Sequence, residues 1–251
     1  MTTDDRGLRR TGRNWEQLAA ADPYWAALSD DGKFGNWDVD EFLASGSEHV
    51  RWILAYVAEL GSPVVRGRAL DFGCGPGRFT GALADEFEAV DAVDISETMV
   101  ARARQLHGDR VRFHVNQRAD LSLFEDGRFD FVLTYLVLQH IPTALALGYV
   151  GEFVRVLAPG GVAAFQAPAE LLRSGSLLDP RRLGGRTRNL ASRAKGAVLR
   201  RPVMEMHMLA PEAVTAAVVD AGGEMLEAAD DWTGGEFCRS VRYIVRRPSR
   251  A

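Results

Sequence analysis

The sequence predicts an α/β fold, a doubly wound and mostly parallel sheet with helices on both faces. Three observations predict it. From residue 68 onward, short apolar runs alternate with segments of helical period, the pattern of strand–helix–strand units. The run from Phe129 to Leu138 is almost continuously apolar, as expected of a strand buried on both sides. A glycine-rich turn, Gly73-Cys74-Gly75-Pro76-Gly77, separates the first apolar run from the next helical segment, where open α/β sheets bind ligands.

Taken in order, the first amphipathic helix runs from Glu48 to Leu60, with Val50, Ile53, Leu54 and Val57 at helical spacing behind Ser47, and Gly61-Ser62-Pro63 stops it. Strands follow at 68–73, 89–95, 111–115, 129–137 and 162–167, with helices at 76–85, 96–107 and 143–157 between them. An irregular stretch, 168–208, precedes a helix at 211–221 and two further strands, 224–229 and 237–245. The expected organisation is a single globular unit: an N-terminal helical cap, 1–62, and a domain, 63–251, that carries a basic insertion at 168–209. The charged, apolar-poor opening Met1 to Arg13 and the closing Arg246 to Ala251 are expected to fray.

Composition sets the class. With 47% hydrophobic and 25% charged residues, the chain reads as an ordinary globular domain. It has no stretch of about 18 apolar residues and no signal-peptide core, so cytoplasmic residence is expected and integral membrane contact is not. A net charge of −4 gives no basic footprint for nucleic acid. Two distant cysteines, Cys74 and Cys238, fit no metal-ligand spacing, so no metal is expected and both thiols are expected to be reduced.

The chemistry concentrates around the glycine turn. Gly73, Gly75 and Gly77 let the backbone approach a ligand closely. About 20 residues after Gly73, Asp94 ends the next strand, where a carboxylate accepts from both hydroxyls of a ribose. A dinucleotide fingerprint would need a third glycine where Arg78 stands, and Pro76 removes a backbone donor. Asp71, two residues before the first glycine, would repel a pyrophosphate and suits a cationic amino group.

Asp71-Phe72-Gly73-Cys74-Gly75-Pro76-Gly77 resembles the first motif of class I S-adenosylmethionine (SAM) dependent methyltransferases. The resemblance extends from about residue 68 to 167 and includes the turn Pro159-Gly160-Gly161. It implies a seven-stranded sheet with the terminal strand antiparallel. It also implies that Gly73, Cys74, Gly75 and Gly77 line the methionine portion of SAM and that Asp71 holds its ammonium. Asp94 would take the ribose hydroxyls, Ile95 and Met99 would flank the adenine, and Asp120 and Leu121 would meet its edge through a carboxylate and an amide. Thr134 and Tyr135 would approach the sulfonium.

Methyl transfer from a sulfonium demands mainly alignment, and a hydroxyl acceptor also wants a base. Among five histidines, His140 follows the fourth strand directly and is the leading base candidate, with His207 second; His49, His107 and His114 are expected to lie away from the crevice. The segment Thr134-Tyr135-Leu136-Val137 lacks the tetrad that marks methylation of exocyclic base amines, and no cysteine nucleophile for cytosine methylation stands there. The expected acceptor is therefore a small molecule, a hydroxyl oxygen of a secondary metabolite or glycoconjugate, with S-adenosylhomocysteine (SAH) as coproduct. The resemblance further implies a lid built from Asp22-Pro23-Tyr24-Trp25 and the region of Trp37; aromatic anchoring of the extension on the core is the plainer alternative. Arg181 to Arg201 holds eight Lys or Arg residues and no acid, which suits an anionic acceptor or peripheral membrane contact, or a plain solvated loop. Two other function classes stay open on sequence: an NAD-dependent oxidoreductase and a non-catalytic SAM-binding module. Oligomeric state is not legible.

Overall fold

The computed structural model describes residues 3–30, 32–172, 204–233 and 238–249. The chain opens with three helices, α1 (Thr3–Ala21), α2 (Pro23–Ala27) and α3 (Val39–Glu59). Alternation then follows: β1 (Arg68–Phe72), α4 (Thr80–Glu86), β2 (Ala89–Asp94), α5 (Glu97–His107), β3 (Arg112–Val115), β4 (Phe129–Thr134), α6 (Thr143–Val156) and β5 (Leu157–Leu171). After the segment outside the described residues come α7 (Pro211–Asp220), β6 (Glu224–Asp231) and β7 (Cys238–Arg246).

The seven strands form one sheet in the order β3-β2-β1-β4-β5-β7-β6. The first five run parallel, while β7 pairs antiparallel with both β5 and β6. Strand order reverses between β1 and β4, which are in register at Asp71 and Leu133, and a crevice opens there at the carboxyl ends. One face of the sheet buries Phe72, Val132 and Phe165 under Tyr149, Val150 and Phe153 of α6 and Val214 and Val218 of α7. The other face buries Ala69, Phe131 and Leu133 under Val50, Ile53 and Val57 of α3 and Leu83 of α4. Each such aliphatic or aromatic side chain, fully buried, stabilises the fold by about 1.5–3 kcal/mol.

The strands and most helices lie where the sequence reading puts them. The amino end differs. Residues 3–21 form a long helix instead of a frayed segment, because Leu8, Trp15, Leu18 and Ala19 recur at helical spacing and find partners: Leu8 joins the α6 core, and Leu18 and Ala19 pack with Ala26 and Met99. α3 begins nine residues earlier than Glu48, at Val39 (48 − 39), capped by Asp38, whose carboxylate accepts from Glu41 N. Residues 1–62 are thus not one layer: α1 and α2 lie over the crevice, whereas α3 covers a face of the sheet. The last helix and strands agree with expectation, and the basic run 181–201 lies outside the described residues. No described helix is long and apolar enough to cross a membrane.

Candidate active site

The glycine turn is pinned from beneath. Gly73 N and Cys74 N both donate to Val93 O (2.8 and 2.9 Å), and Gly77 N donates back to Cys74 O (2.9 Å). Gly73 has φ +72°, and a Cβ there would fall 2.5 Å from Val137, so its absence lets the segment after β4 close on the turn. At Gly77 a Cβ would fall 2.5 Å from His107 Nε2, the atom that sits 2.9 Å from Gly77 O. His107, expected to be remote, therefore braces the back of the turn.

Asp94 joins the turn to the next helix. Its Oδ2 accepts from Gly75 N and its Oδ1 from Ser96 N, both at 2.9 Å. Burial raises its carboxyl above the ordinary value despite these bonds. Asp71 lies underneath, 1% exposed. Thr80 Oγ1 donates to its Oδ2, while Oδ1 is buried without a partner. Burial, reinforced by the charge of Asp94 and opposed by Thr80, pushes this carboxyl up to about 7. An orphaned buried oxygen of this kind calls for a donor that a ligand brings.

The crevice holds about 890 Å³ of unfilled space including its open mouth, within the roughly 300–1,000 Å³ usual for small-molecule sites. Gly73, Cys74, Gly75, Asp94, Ile95 and Met99 border it, as do Tyr135 and His140 at the far wall. Gly77, Asp71 and Thr134 do not line it. Asp120 and Leu121 are not brought to it. Asp120 is exposed and its Oδ1 accepts from Ser122 N (3.0 Å), and Leu121, fully buried, donates its amide to Glu152 Oε2 (2.7 Å). Asn116, after β3, lines the crevice in this region, and its Nδ2 donates to Asp120 O at 2.9 Å.

Sequence reasoning also missed Arg78 and three residues of α1, Leu8, Thr11 and Trp15, which complete the wall. The helical spacing of 8, 11 and 15 was the available signal. The segment expected as a lid, Asp22-Pro23-Tyr24-Trp25 and Trp37, does not itself line the crevice, which is bordered on this side by Leu8, Thr11 and Trp15 of α1 and by Ala27 of α2. Asp22 instead caps α2 by accepting from Tyr24 N and Trp25 N, and Trp25 and Trp37 pack on Phe34 and Phe42.

Beyond β4 the backbone is strained. Leu136 has φ +62°, the one positive value outside glycine among the described residues, a conformation that costs on the order of 1–3 kcal/mol and clusters at functional sites. Thr134 Oγ1 and Tyr135 OH are buried without partners. His140 is 7% exposed, with Nδ1 2.8 Å from the backbone oxygen of Glu205 and Nε2 3.1 Å from Gln139 Nε2. A carbonyl partner requires that Nδ1 carry the proton, which leaves Nε2 as the acceptor. Burial, outweighing the Glu205 carbonyl, pushes His140 down to about 4, and His207 adds to the effect. Trp15 meets its ring edge-on at 5.0 Å. His207 stands alongside: its N donates to Gln139 O (2.7 Å), and its Nε2 is 3.5 Å from Glu205 Oε2. His49, also expected to be remote, packs 4.2 Å from the Tyr135 ring. His114 is elsewhere, with Nε2 2.7 Å from the buried Asp91.

Comparison with known proteins agrees with this geometry. The family model of the methyltransferase domain matches residues 69–161. The ubiquinone biosynthesis O-methyltransferase of Xanthomonas oryzae pv. oryzae (strain PXO99A) is 35% identical over 98 residues, 38% of this chain and 40% of that protein. The one from Thiobacillus denitrificans is 29% identical over 116 residues, 45% and 47% of the two chains. The chain thus spans about half or less of these curated relatives. Among solved structures, magnesium protoporphyrin IX methyltransferase from Synechocystis with bound SAH superposes with TM-score 0.58 at 19% identity, covering 94% of this chain and 97% of that one. A SAM-dependent methyltransferase of Leishmania major gives 0.62 at 14% identity, with coverage of 94% and 82%. Residues 69–161 are thus a methyltransferase domain, set in the seven-stranded fold shared with SAM-dependent methyltransferases, and the cofactor of such domains is SAM.

Proposed function

We propose that the protein transfers the methyl group of SAM to a hydroxyl oxygen of a small molecule, with His140 as general base. The observation that carries this reading is the 2.8 Å contact of His140 Nδ1 with the Glu205 backbone oxygen, in a residue that borders the cavity. Nδ1 donates to that oxygen, so Nε2 keeps the lone pair, and burial keeps the ring neutral at physiological pH. SAM supplies a methyl already activated on a sulfonium. The acceptor oxygen would gain the methyl, the sulfur would keep the electron pair of the broken S–CH3 bond to give SAH, and the hydroxyl proton would pass to His140 Nε2. An acceptor hydroxyl would take the place of Gln139 Nε2 at that atom. The relatives, which are O-methyltransferases, support oxygen as the target.

The donor is held by residues that fit its chemistry. Asp71 Oδ1 takes the ammonium and Asp94 the ribose hydroxyls, while Ile95 and Met99 pack on the adenine beside Asn116. Gly73 to Gly77 leave the backbone open to the methionine chain, and Thr134 and Tyr135 would approach the sulfonium. α1 and α2 serve as the cap. The test is turnover with radiolabelled SAM and a panel of phenols and sugar alcohols. His140→Ala lowers kcat by about 10²- to 10⁴-fold while SAH affinity is unchanged. Full turnover in this variant dismisses His140 as the base.

A further inference from the structure

We propose that Arg78 is a carboxylate-binding residue of the cavity. It follows Gly77 in the turn leading to α4 and borders the crevice. Its Nε donates to Ser45 Oγ at 3.0 Å, and its guanidinium lies 4.8 Å from the centre of the Phe79 ring. Among the described residues it meets no carboxylate. Other arginines of the fold are matched by acids: Arg112 and Arg128 share Asp91, Arg155 pairs with Glu152 and Asp126, and Arg242 with Glu227 and Asp231.

The position is built for this side chain. A Cβ on Gly46 of α3 would fall 1.9 Å from Arg78 O and 3.0 Å from its Cγ, so the helix is notched where the arginine passes. Burial alone brings Arg78 down to about 10, still cationic at neutral pH. Its positive field reaches the next turn of α3, where burial first, and then the charges of Arg78 and Arg242, push His49 down to about 4. A half-buried cation with no counter-ion is costly unless a ligand brings one. The planar guanidinium matches a carboxylate bidentately.

The inference rests on the cavity taking an S-adenosyl amino acid. Asp94 and Arg78 both border the cavity, and an acid and a base in one lining suit a zwitterion. The carboxylate comes either from the donor's amino-acid end or from the acceptor, and one set of titrations separates the sources.

Calorimetry on the full chain compares wild type, Arg78→Met, Arg78→Gln and Arg78→Lys with SAH and with 5′-methylthioadenosine, which lacks the amino-acid end. For a donor carboxylate, SAH weakens about 10- to 100-fold in the Met and Gln variants, methylthioadenosine is unchanged, and Lys restores part of the loss. For an acceptor carboxylate, SAH is unchanged, and binding of benzoate to the SAH complex disappears with Arg78. Unchanged SAH affinity without Arg78-dependent benzoate binding overturns the proposal. So does parallel weakening of SAH and methylthioadenosine with a fall in Tm, which marks a structural role. If wild type binds neither nucleoside, the donor reading itself fails.

Discussion

Asp71 is the residue whose burial makes the plainest solution prediction. Burial and the Asp94 charge outweigh the Thr80 hydrogen bond and push its carboxyl up to about 7. The ionised form is the one that attracts the ammonium of the donor. Below pH 7 a proton must leave before the donor is held, so affinity falls as pH falls, by up to about tenfold per unit. The donor's ammonium, beside its own carboxylate, stays protonated over the range measured. SAH affinity measured from pH 6 to 8 therefore rises with pH in wild type, whereas Asp71→Asn removes this step. Superimposable profiles for the two proteins would refute the ammonium role. Asp71, Asp94 and His140 were legible because residue type and strand-end position coincide. Arg78 and Asn116 were not, since nothing local marks an arginine after a glycine turn, or an asparagine after a short strand, as facing a crevice.

Among the elements, α1 deserves the closest argument because its composition conceals its role. Its charged residues suggest fraying, yet they are also its attachment. Burial works against the Glu16 carboxylate, but the Ser96 hydroxyl (2.6 Å) and the Thr98 hydroxyl and amide, at the start of α5, together hold its carboxyl below the ordinary value. Arg10 reaches Glu205 at 3.2 Å, and a Cβ on Gly12 would meet Ile95 Cδ1 at 3.3 Å. These partners are distant in sequence, which is why no local pattern announced the helix's place over the cavity. Each hydrogen bond is worth on the order of 1 kcal/mol. Glu16→Ala should therefore speed amide exchange across residues 3–21 by roughly tenfold, leave α3 and α6 protected, and raise the SAH dissociation rate. Unaltered protection of α1 would show that its apolar face alone seats it. The strands posed no such difficulty, because a strand buried on both faces declares itself by apolar continuity, as 129–134 does.

At the scale of the whole molecule, the cavity is where three apolar clusters meet. Phe72 and Val93 belong to the α6 face, Phe79 and Tyr135 to the α3 face, and Trp15 and Met99 to the cluster under α1. A ligand filling it touches all three, so its binding energy appears as global stability rather than local order. The reversal of strand order that creates this meeting point was legible in the alternation of elements, but the convergence of α1 on it was a tertiary fact. SAH at about 100 times its Kd should raise the unfolding free energy by about 2.7 kcal/mol, which for a chain of this length lifts Tm by roughly 5–10 °C. NAD at the same concentration should leave Tm unchanged. Its pyrophosphate would face a turn in which Pro76 offers no N–H, with the Asp71 and Asp94 carboxylates alongside, so the charges that favour a zwitterion repel a diphosphate. Thermal unfolding followed with each nucleotide checks this, and a shift with NAD but none with SAH would reverse the assignment of the pocket.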